Sequence, residues 1–428
     1  MFQFRIQGRR PLTGQVTISG SKNAALPAMA AALLTDEPVK LTNLPAIRDV
    51  HTMAAILESL GAKVNQLDRH SFEITAKGVK STSLDYLMGR RLRASILLLG
   101  PLVAKHGRAI LPHPGGCVIG TRPVGTHFDA LRALGATVEH QNEYYVTEAP
   151  QGLTGAYIYL DEVSVTATEN AIMAAVLAKG QTTIRPAALE PHVVSLCQML
   201  IKMGAKIEGL GTHTLVIEGV DRLHGCEHRI IADEIETGTF AVAAALTQSA
   251  ITINEIPEDL DPIVHKLTAF GVDLDWQRTK HRLEIRPSQL KASKIQVDTW
   301  PRFPTDLQPQ FGVLATQAEG TTLIHEWMYE NRLNYLEQLE TMGAKVNRLD
   351  PHRAEVIGPR RLQGQIIDSP DLRAGIAFVL AGLAAEGETV VTGAELIKRG
   401  YQDIVQKLSQ LGAEIEEEGE EEPLLKLV

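Results

Sequence analysis

Six times along the chain, a helix-period run of apolar residues closes on the same three-residue signature. In the first, Met53, Ile56, Leu57 and Leu60 fall at i, i+3, i+4 and i+7, and the run ends at Leu60-Gly61-Ala62. The signature is a large apolar residue, glycine, then Ala or Val. It returns at Leu134-Gly135-Ala136, Met203-Gly204-Ala205, Phe270-Gly271-Val272, Met342-Gly343-Ala344 and Leu411-Gly412-Ala413. The glycines stand 74, 69, 67, 72 and 69 positions apart. Glycine after a helix predicts a left-handed cap, which the missing Cβ makes cheap. Short alternating segments such as Lys63-Val64-Asn65-Gln66-Leu67 follow and predict strands.

A second set of runs lies between those glycines. Residues 24–34, 94–104, 168–178, 239–250, 307–318 and 372–385 are rich in Ala and Leu and predict helices. Most lead into a glycine turn and a β-branched strand, as in Gly180-Gln181-Thr182-Thr183-Ile184 and Gly320-Thr321-Thr322-Leu323-Ile324. Each unit reads as helix, strand, helix, strands, so the chain is an α/β protein of six repeats of about 70 residues. Alanine-rich helices approach one another closely, and three of them can form a buried bundle with sheets outside. Six units then make two three-unit lobes with a cleft between them. A solenoid of stacked repeats is the other arrangement such periodicity allows.

A chain of 428 residues is too long for one core and predicts two or three domains. Its net charge of −9 and pI near 5.9 argue against nucleic acid or an anionic membrane as partner. Met1-Phe2-Gln3-Phe4-Arg5 lacks the form of a signal peptide, and no run of about 18 apolar residues predicts a membrane span. Three cysteines, an odd and sparse number, argue for free thiols and a cytoplasmic protein. Residues 414–422, seven of nine of them Glu, read as a solvated terminal segment.

The unexpected polar residues stand where the Ala-rich helices begin: Ser21-Lys22-Asn23, Arg91-Leu92-Arg93-Ala94-Ser95, Ser164-Val165-Thr166, Glu236-Thr237-Gly238-Thr239, Pro304-Thr305-Asp306 and Asp371-Leu372-Arg373. Ser, Thr and Asp at such places are ordinary helix caps. Cations there oppose the helix dipole, so Lys22, Arg93 and Arg373 point to a shared anionic ligand. Arginine's planar fork suits carboxylate or phosphate. The Gly/Pro-rich stretch from Pro112 to Pro123 carries Cys117 five residues before Arg122, a setting for a functional thiol. Cys197, in the apolar run 193–201, reads as packing. His224-Gly225-Cys226-Glu227-His228 has no fourth ligand at recognisable spacing, and no metal is expected.

Together these residues resemble the enolpyruvyl transferases, and within them the branch that uses UDP-N-acetylglucosamine. The likeness runs from about Gly8 to Ala413 and rests on specific motifs. These are Gly20-Ser21-Lys22-Asn23-Ala24-Ala25-Leu26-Pro27, Arg93-Ala94-Ser95, Pro114-Gly115-Gly116-Cys117, Ile119-Gly120, Arg122-Pro123 and Ile235-Glu236-Thr237-Gly238-Thr239. Further along come Phe303-Pro304-Thr305-Asp306-Leu307-Gln308, Glu330-Asn331-Arg332, Asp371-Leu372-Arg373-Ala374 and Arg399-Gly400-Tyr401.

The resemblance implies an inside-out α/β barrel of two lobes, each of three repeats. Residues 22–230 would form one lobe carrying the Cys117 loop, and residues 1–21 with 231–428 the other, discontinuous one. It implies transfer of the enolpyruvyl group of phosphoenolpyruvate to the sugar 3-hydroxyl for peptidoglycan synthesis, with no cofactor, and a lobe-closing motion on binding. Asp306 would take the hydroxyl proton and Cys117 would act as acid toward C3, while Lys22, Arg122 and Arg399 would hold phosphoenolpyruvate. Asn23, Arg93, Pro123, Val124, Gly125, Thr126, Val163, Ser164, Val165 and Met328 would position the nucleotide sugar. Arg332, Asp371 and Arg373 complete the binding set. The chain departs from the family pattern at His192, Thr166 and Glu234, which bear on nucleotide contacts and leave the chemical step untouched. Transfer to shikimate 3-phosphate, and a catalytically silent nucleotide-binding paralogue, are the competing readings.

Overall fold

The computed structural model describes residues 2–115 and 119–419. The chain divides into two compact units, crossing between them at Ser19/Gly20, on either side of residues 119–121, and at Ile231/Ala232. The first unit comprises residues 20–115 and 122–231, the second residues 2–19, 119–121 and 232–419. Residues 119–121, on the C-terminal side of Cys117, group with the second unit. Residues 119–121 belong to the second unit because Glu330 accepts the Thr121 N–H at 2.8 Å and its hydroxyl at 2.9 Å, and the Asn331 N–H donates to the Ile119 carbonyl at 3.1 Å. Cys117 lies outside the described residues.

All six signature glycines have positive φ: +102° at Gly61, +95° at Gly135, +102° at Gly204, +79° at Gly271, +99° at Gly343 and +97° at Gly412. The residue after each glycine donates its N–H to a leucine carbonyl five positions earlier: Leu57, Leu131, Leu200, Leu267, Leu339 and Leu408. That bond and the one from the glycine N–H satisfy the orphan carbonyls of the helix end. One local device thus ends six helices and turns the chain into a strand.

In the first unit, the strand Glu227–Arg229 pairs parallel to Val39–Thr42, which continues antiparallel into Ser71–Thr75 and then Lys63–Asp68. Tyr157–Tyr159, Gln181–Arg185, Leu215–Glu218 and Lys206–Glu208 repeat the pattern. In the third sheet, Arg108–Pro112, Tyr144–Glu148 and Thr137–Gln141 do so with the parallel strand reduced to one bridge, Ser83 to Ile110. The helices Lys22–Ala31, Leu99–His106 and Val165–Ala175 carry the apolar core that the sheets cover with one face. Gly100 permits close helix approach, since a Cβ there would sit 2.5 Å from the Asn170 carbonyl oxygen.

The second unit repeats this plan. Its buried helices are Glu234–Leu246, Gln308–Gln317 and Leu372–Ala384, around a separate core. Its sheets are Thr13–Thr17 with Ala250–Asn254, Arg282–Arg286 and Asp273–Gln277, and Ile295–Gln296 with Gly320–His325, Arg353–Gly358 and Lys345–Asp350. The third joins both chain ends, in the order Ile366–Asp368, Glu388–Thr392, Gln3–Gln7, Glu414–Glu418. Helices inside, sheets outside and three repeats per unit make the inside-out α/β arrangement.

That last sheet corrects the reading of the acidic run as solvated tail. Glu414–Glu418 is a strand paired antiparallel to Gln3–Gln7, with Ile415 turned into the core. Glutamates are tolerated there because Arg5 donates to Glu418 from Nε at 2.9 Å and Nη2 at 3.0 Å, and Arg10 pairs with Glu414 at 3.1 Å. Among the described residues, no helix is long and apolar enough to cross a membrane.

Candidate active site

In the first unit, Lys22 is the first residue of the helix Lys22–Ala31, after Ser21, whose side chain caps nothing. Its Nζ lies 3.4 Å from Asp49 Oδ2. The cation that opposes the helix dipole thus has a resident counter-charge, which the sequence did not reveal. Asn23 follows, half-buried. Arg93 opens the turn Arg93–Leu98 and donates from Nη1 to the Pro114 carbonyl at 3.5 Å and from Nη2 to the Arg122 carbonyl. One guanidinium therefore reaches carbonyls at both Pro114 and Arg122. Arg122 is half-buried and Pro123 exposed, Val124 is buried, and Gly125 and Thr126 begin the helix Gly125–Ala133.

Val163 and Ser164 precede the helix Val165–Ala175, and the Ser164 hydroxyl accepts the Ala167 N–H as its cap. A buried relay ties this helix start to the 123–127 segment. Asn170 Oδ1 accepts the Gly100 N–H at 2.7 Å, which fixes the amide orientation. Its nitrogen then donates to the Ile96 carbonyl at 2.9 Å and to His127 Nδ1 at 2.8 Å. His127 must carry its proton on Nε2 and donate it to the Thr166 hydroxyl, 3.1 Å away. Burial lowers the His127 pKa to about 3, with the Arg93 charge adding to the effect, so the ring is neutral. Thr166, one of the departures from the family pattern, is thus held by hydrogen bonding. His192, another, is buried in the first turn of Pro191–Lys202.

In the second unit, Asp306 sits in the turn Thr305–Leu307 between two guanidinium groups. Arg332 Nη2 lies 3.1 Å from Oδ1, and Arg373 donates to Oδ2 from Nε at 3.0 Å and Nη2 at 2.8 Å. Both arginines are 5% exposed. Arg332 Nε and Nη1 are buried and meet no acceptor among the described residues, and the guanidinium lies 5.3 Å from the Tyr329 ring centroid. Burial alone would lower the Arg373 pKa, but Asp306, Tyr401 and Asp233 outweigh it and leave it raised. Asp371 Oδ1 accepts the N–H groups of Arg373 at 2.7 Å and Ala374 at 3.1 Å, so its carboxylate caps the helix that carries Arg373. Tyr401 completes the arginine's surroundings with its hydroxyl 3.3 Å from Nη1. Arg399 ends the turn Ala394–Arg399, and Met328 is half-buried after the strand Gly320–His325.

The third departure, Glu234, begins the helix Glu234–Leu246 and is buried. Burial pushes its pKa up to about 8, Asp233 adds to the effect, and Arg373 opposes it. Of the other cysteines, Cys197 is buried and its thiol is pushed up to about 12 by burial, then by Glu169. His228, from the histidine-cysteine stretch considered as a metal motif, instead meets the Ser195 hydroxyl at 3.0 Å.

A family profile described as EPSP synthase (3-phosphoshikimate 1-carboxyvinyltransferase) matches residues 6–421. The chain belongs to the enolpyruvyl transferase family. The UDP-N-acetylglucosamine 1-carboxyvinyltransferase of Treponema denticola is 44% identical to this enolpyruvyl transferase over 429 residues, 97% of this chain and 99% of that one. The one from Solibacter usitatus is 45% identical over 417 residues, again 97% and 99% of the two chains. Among solved structures, the enolpyruvyl transferase NikO from Streptomyces tendae has a TM-score of 0.87 at 27% identity, covering 97% of this chain and 98% of that one. EPSP synthase from Acinetobacter baumannii, at TM-score 0.77 and 20% identity over 98% of this chain and 100% of that one, shares the fold alone.

Sequence reasoning missed three groups around the candidate residues of this transferase: Asp49 beside Lys22, the Asn170–His127 relay, and Glu326. Asp49 stands in the first turn of an outer helix, where an acid is routine. Glu326 comes directly after the strand Gly320–His325, where an acid is unremarkable in sequence, and its complete burial depends on distant residues.

Proposed function

We propose that the chain transfers the enolpyruvyl group of phosphoenolpyruvate to the 3-hydroxyl of UDP-N-acetylglucosamine, releasing phosphate, in the cytoplasmic synthesis of peptidoglycan precursors. The observation that carries this reading is the Asp306 carboxylate between Arg332 and Arg373. A carboxylate held in one orientation by two cations suits a reaction in which a hydroxyl is deprotonated beside an anionic substrate. Curated relatives that match the whole chain carry the name of this activity.

The reaction is addition followed by elimination. The sugar oxygen attacks C2 of phosphoenolpyruvate while Asp306 takes the hydroxyl proton and Cys117 supplies one to C3. Loss of a proton from C3 and departure of phosphate restore the double bond in the ether product. Lys22, Arg122 and Arg399 stabilise the charge that builds on the phosphate. Asn23, Arg93, the 123–126 segment, the 163–165 segment and Met328 contact the nucleotide sugar, with Asp371 and Arg373 supporting the set.

Phosphate release from purified protein with both substrates tests the proposal. Turnover with UDP-N-acetylglucosamine, and none with shikimate 3-phosphate in its place, is the expected result. Turnover with shikimate 3-phosphate alone, the substrate in the family profile's description, would replace this reading. Binding of the sugar nucleotide without turnover would make the chain a silent paralogue.

A further inference from the structure

Glu326 is fully buried, follows the strand Gly320–His325, and has no part in the chemistry above. Its backbone is pinned from both sides by the next hairpin. The Glu326 N–H donates to the His352 carbonyl at 2.8 Å, and His352 Nδ1 donates to the Glu326 carbonyl at 2.7 Å. The side chain therefore projects from a fixed point. One carboxylate oxygen, Oε2, accepts the Thr305 hydroxyl at 2.7 Å, and Oε1 accepts the Met328 N–H at 3.1 Å.

Those two donors belong to the two segments that matter for Asp306. Thr305 precedes Asp306 in the same short turn. Met328 starts the stretch that ends at Arg332, whose N–H closes a turn on the Tyr329 carbonyl at 3.2 Å. Arg332 then returns to Asp306 at 3.1 Å. The circuit closes: Glu326, Thr305, Asp306, Arg332, the 328–332 turn, and Glu326 again. We propose that Glu326 is a positioning residue for proton transfer, because its carboxylate clamps the Asp306 turn to the Arg332 segment and fixes the carboxylate's direction.

A buried acid is a costly way to join two segments. Burial raises the Glu326 pKa, while the Thr305 hydrogen bond and the Arg332 charge pull the other way. A short turn such as Thr305–Leu307 has little internal hydrogen bonding to resist rotation. With the clamp gone, Arg332 and Arg373 would still attract Asp306, but its oxygens could turn between them. Misplacement of a reacting group by about 1 Å costs on the order of a hundredfold in rate.

This inference rests on Asp306 acting as the proton acceptor. Its test uses Thr305→Val, Thr305→Ser, Glu326→Gln and the double variant Thr305→Val with Glu326→Gln in the full chain. Thr305→Val should lower kcat by about ten- to a hundredfold, with the KM for UDP-N-acetylglucosamine within about threefold. Thr305→Ser, which keeps the hydroxyl, should return turnover to within about threefold of the parent. Because Thr305→Val already removes the hydroxyl that Glu326 accepts, adding Glu326→Gln should cost little beyond Thr305→Val alone. A folded Thr305→Val protein with parental kcat, or equal losses in Val and Ser, overturns the inference and leaves the function standing. A parent without turnover removes both.

Discussion

Arg373 meets one oxygen of Asp306 with two donors, Nε at 3.0 Å and Nη2 at 2.8 Å, while Arg332 takes the other oxygen at 3.1 Å. Two buried cations therefore share one anion. Asp306→Asn keeps the shape and removes the charge. Turnover should fall by about 10²- to 10⁴-fold, with much less change in nucleotide affinity. Unfolding in urea should show a stability loss of about 1–3 kcal/mol, because Arg332 and Arg373 keep their burial without their counter-charge. Asp306 retains 29% of its side-chain exposure, which keeps the cost below that of a fully buried pair. A variant with parental turnover would remove the proton-accepting role.

The three thiols should differ sharply toward fosfomycin, an epoxide phosphonate that resembles phosphoenolpyruvate. Cys197 is 1% exposed with its thiol pushed up to about 12, and burial also raises Cys226. Neither supplies much thiolate at neutral pH, and the thiolate is the nucleophile. Mass spectrometry should find a single adduct on Cys117, formed faster with UDP-N-acetylglucosamine present. Adducts on Cys197 or Cys226 would point to local opening instead.

The repeated glycine cap allows two costs to be separated. At Gly135, φ is +95° and a Cβ would meet nothing within 4 Å, so Gly135→Ala isolates backbone strain, about 1–2 kcal/mol. At Gly61, φ is +102° and a Cβ would lie 2.6 Å from the Gly78 carbonyl oxygen, adding a backbone clash. Denaturant titration should rank Gly61→Ala clearly below Gly135→Ala. Equal losses would mean that the neighbouring turn at Gly78 moves aside freely.

Glu234 gives stability a defined pH dependence. Its pKa is about 8 in the folded chain against an ordinary 4.5, so between those values the folded state binds the extra proton. Stability from this group is complete below about 4.5 and is lost as pH rises toward 8, with a slope of at most about 1.4 kcal/mol per pH unit. Glu234→Gln stays neutral. Its melting temperature relative to the parent should rise between pH 5 and 8, and a constant difference would exclude the assignment. Glu169 and Glu236, both raised by burial, leave the variant some slope of the same sign. His127 and His228, lowered to about 3 and about 4, act oppositely below their ordinary 6.5, where stability falls with falling pH.

Residues whose position follows from local rules were legible in the chain. The helix start at Lys22, the cap at Asp371 and the six glycine-ended helices all follow from periodicity and φ preference, which act within a few residues, whereas the helix expected over 94–104 opens as a 3-10 turn over Arg93–Leu98. What could not be read were the partners. In sequence, Lys22 and Arg373 at helix starts point to an anionic ligand, yet Asp49 and Asp306 already balance them from 27 and 67 positions away.

The sequence by itself determined six α/β repeats, the helices they bury and the residue types available for chemistry, because hydrophobic period and glycine caps need no distant information. Tertiary structure decided that residues 414–418 form a strand, since Arg5 and Arg10 reach those glutamates only once Gln3–Gln7 lies beside them. It also decided the proton position on His127, the crowding of cations on Asp306 and the complete burial of Glu326. Charges and hydrogen bonds draw their strength from the desolvation and proximity of groups far apart in the chain, and only the folded packing supplies both.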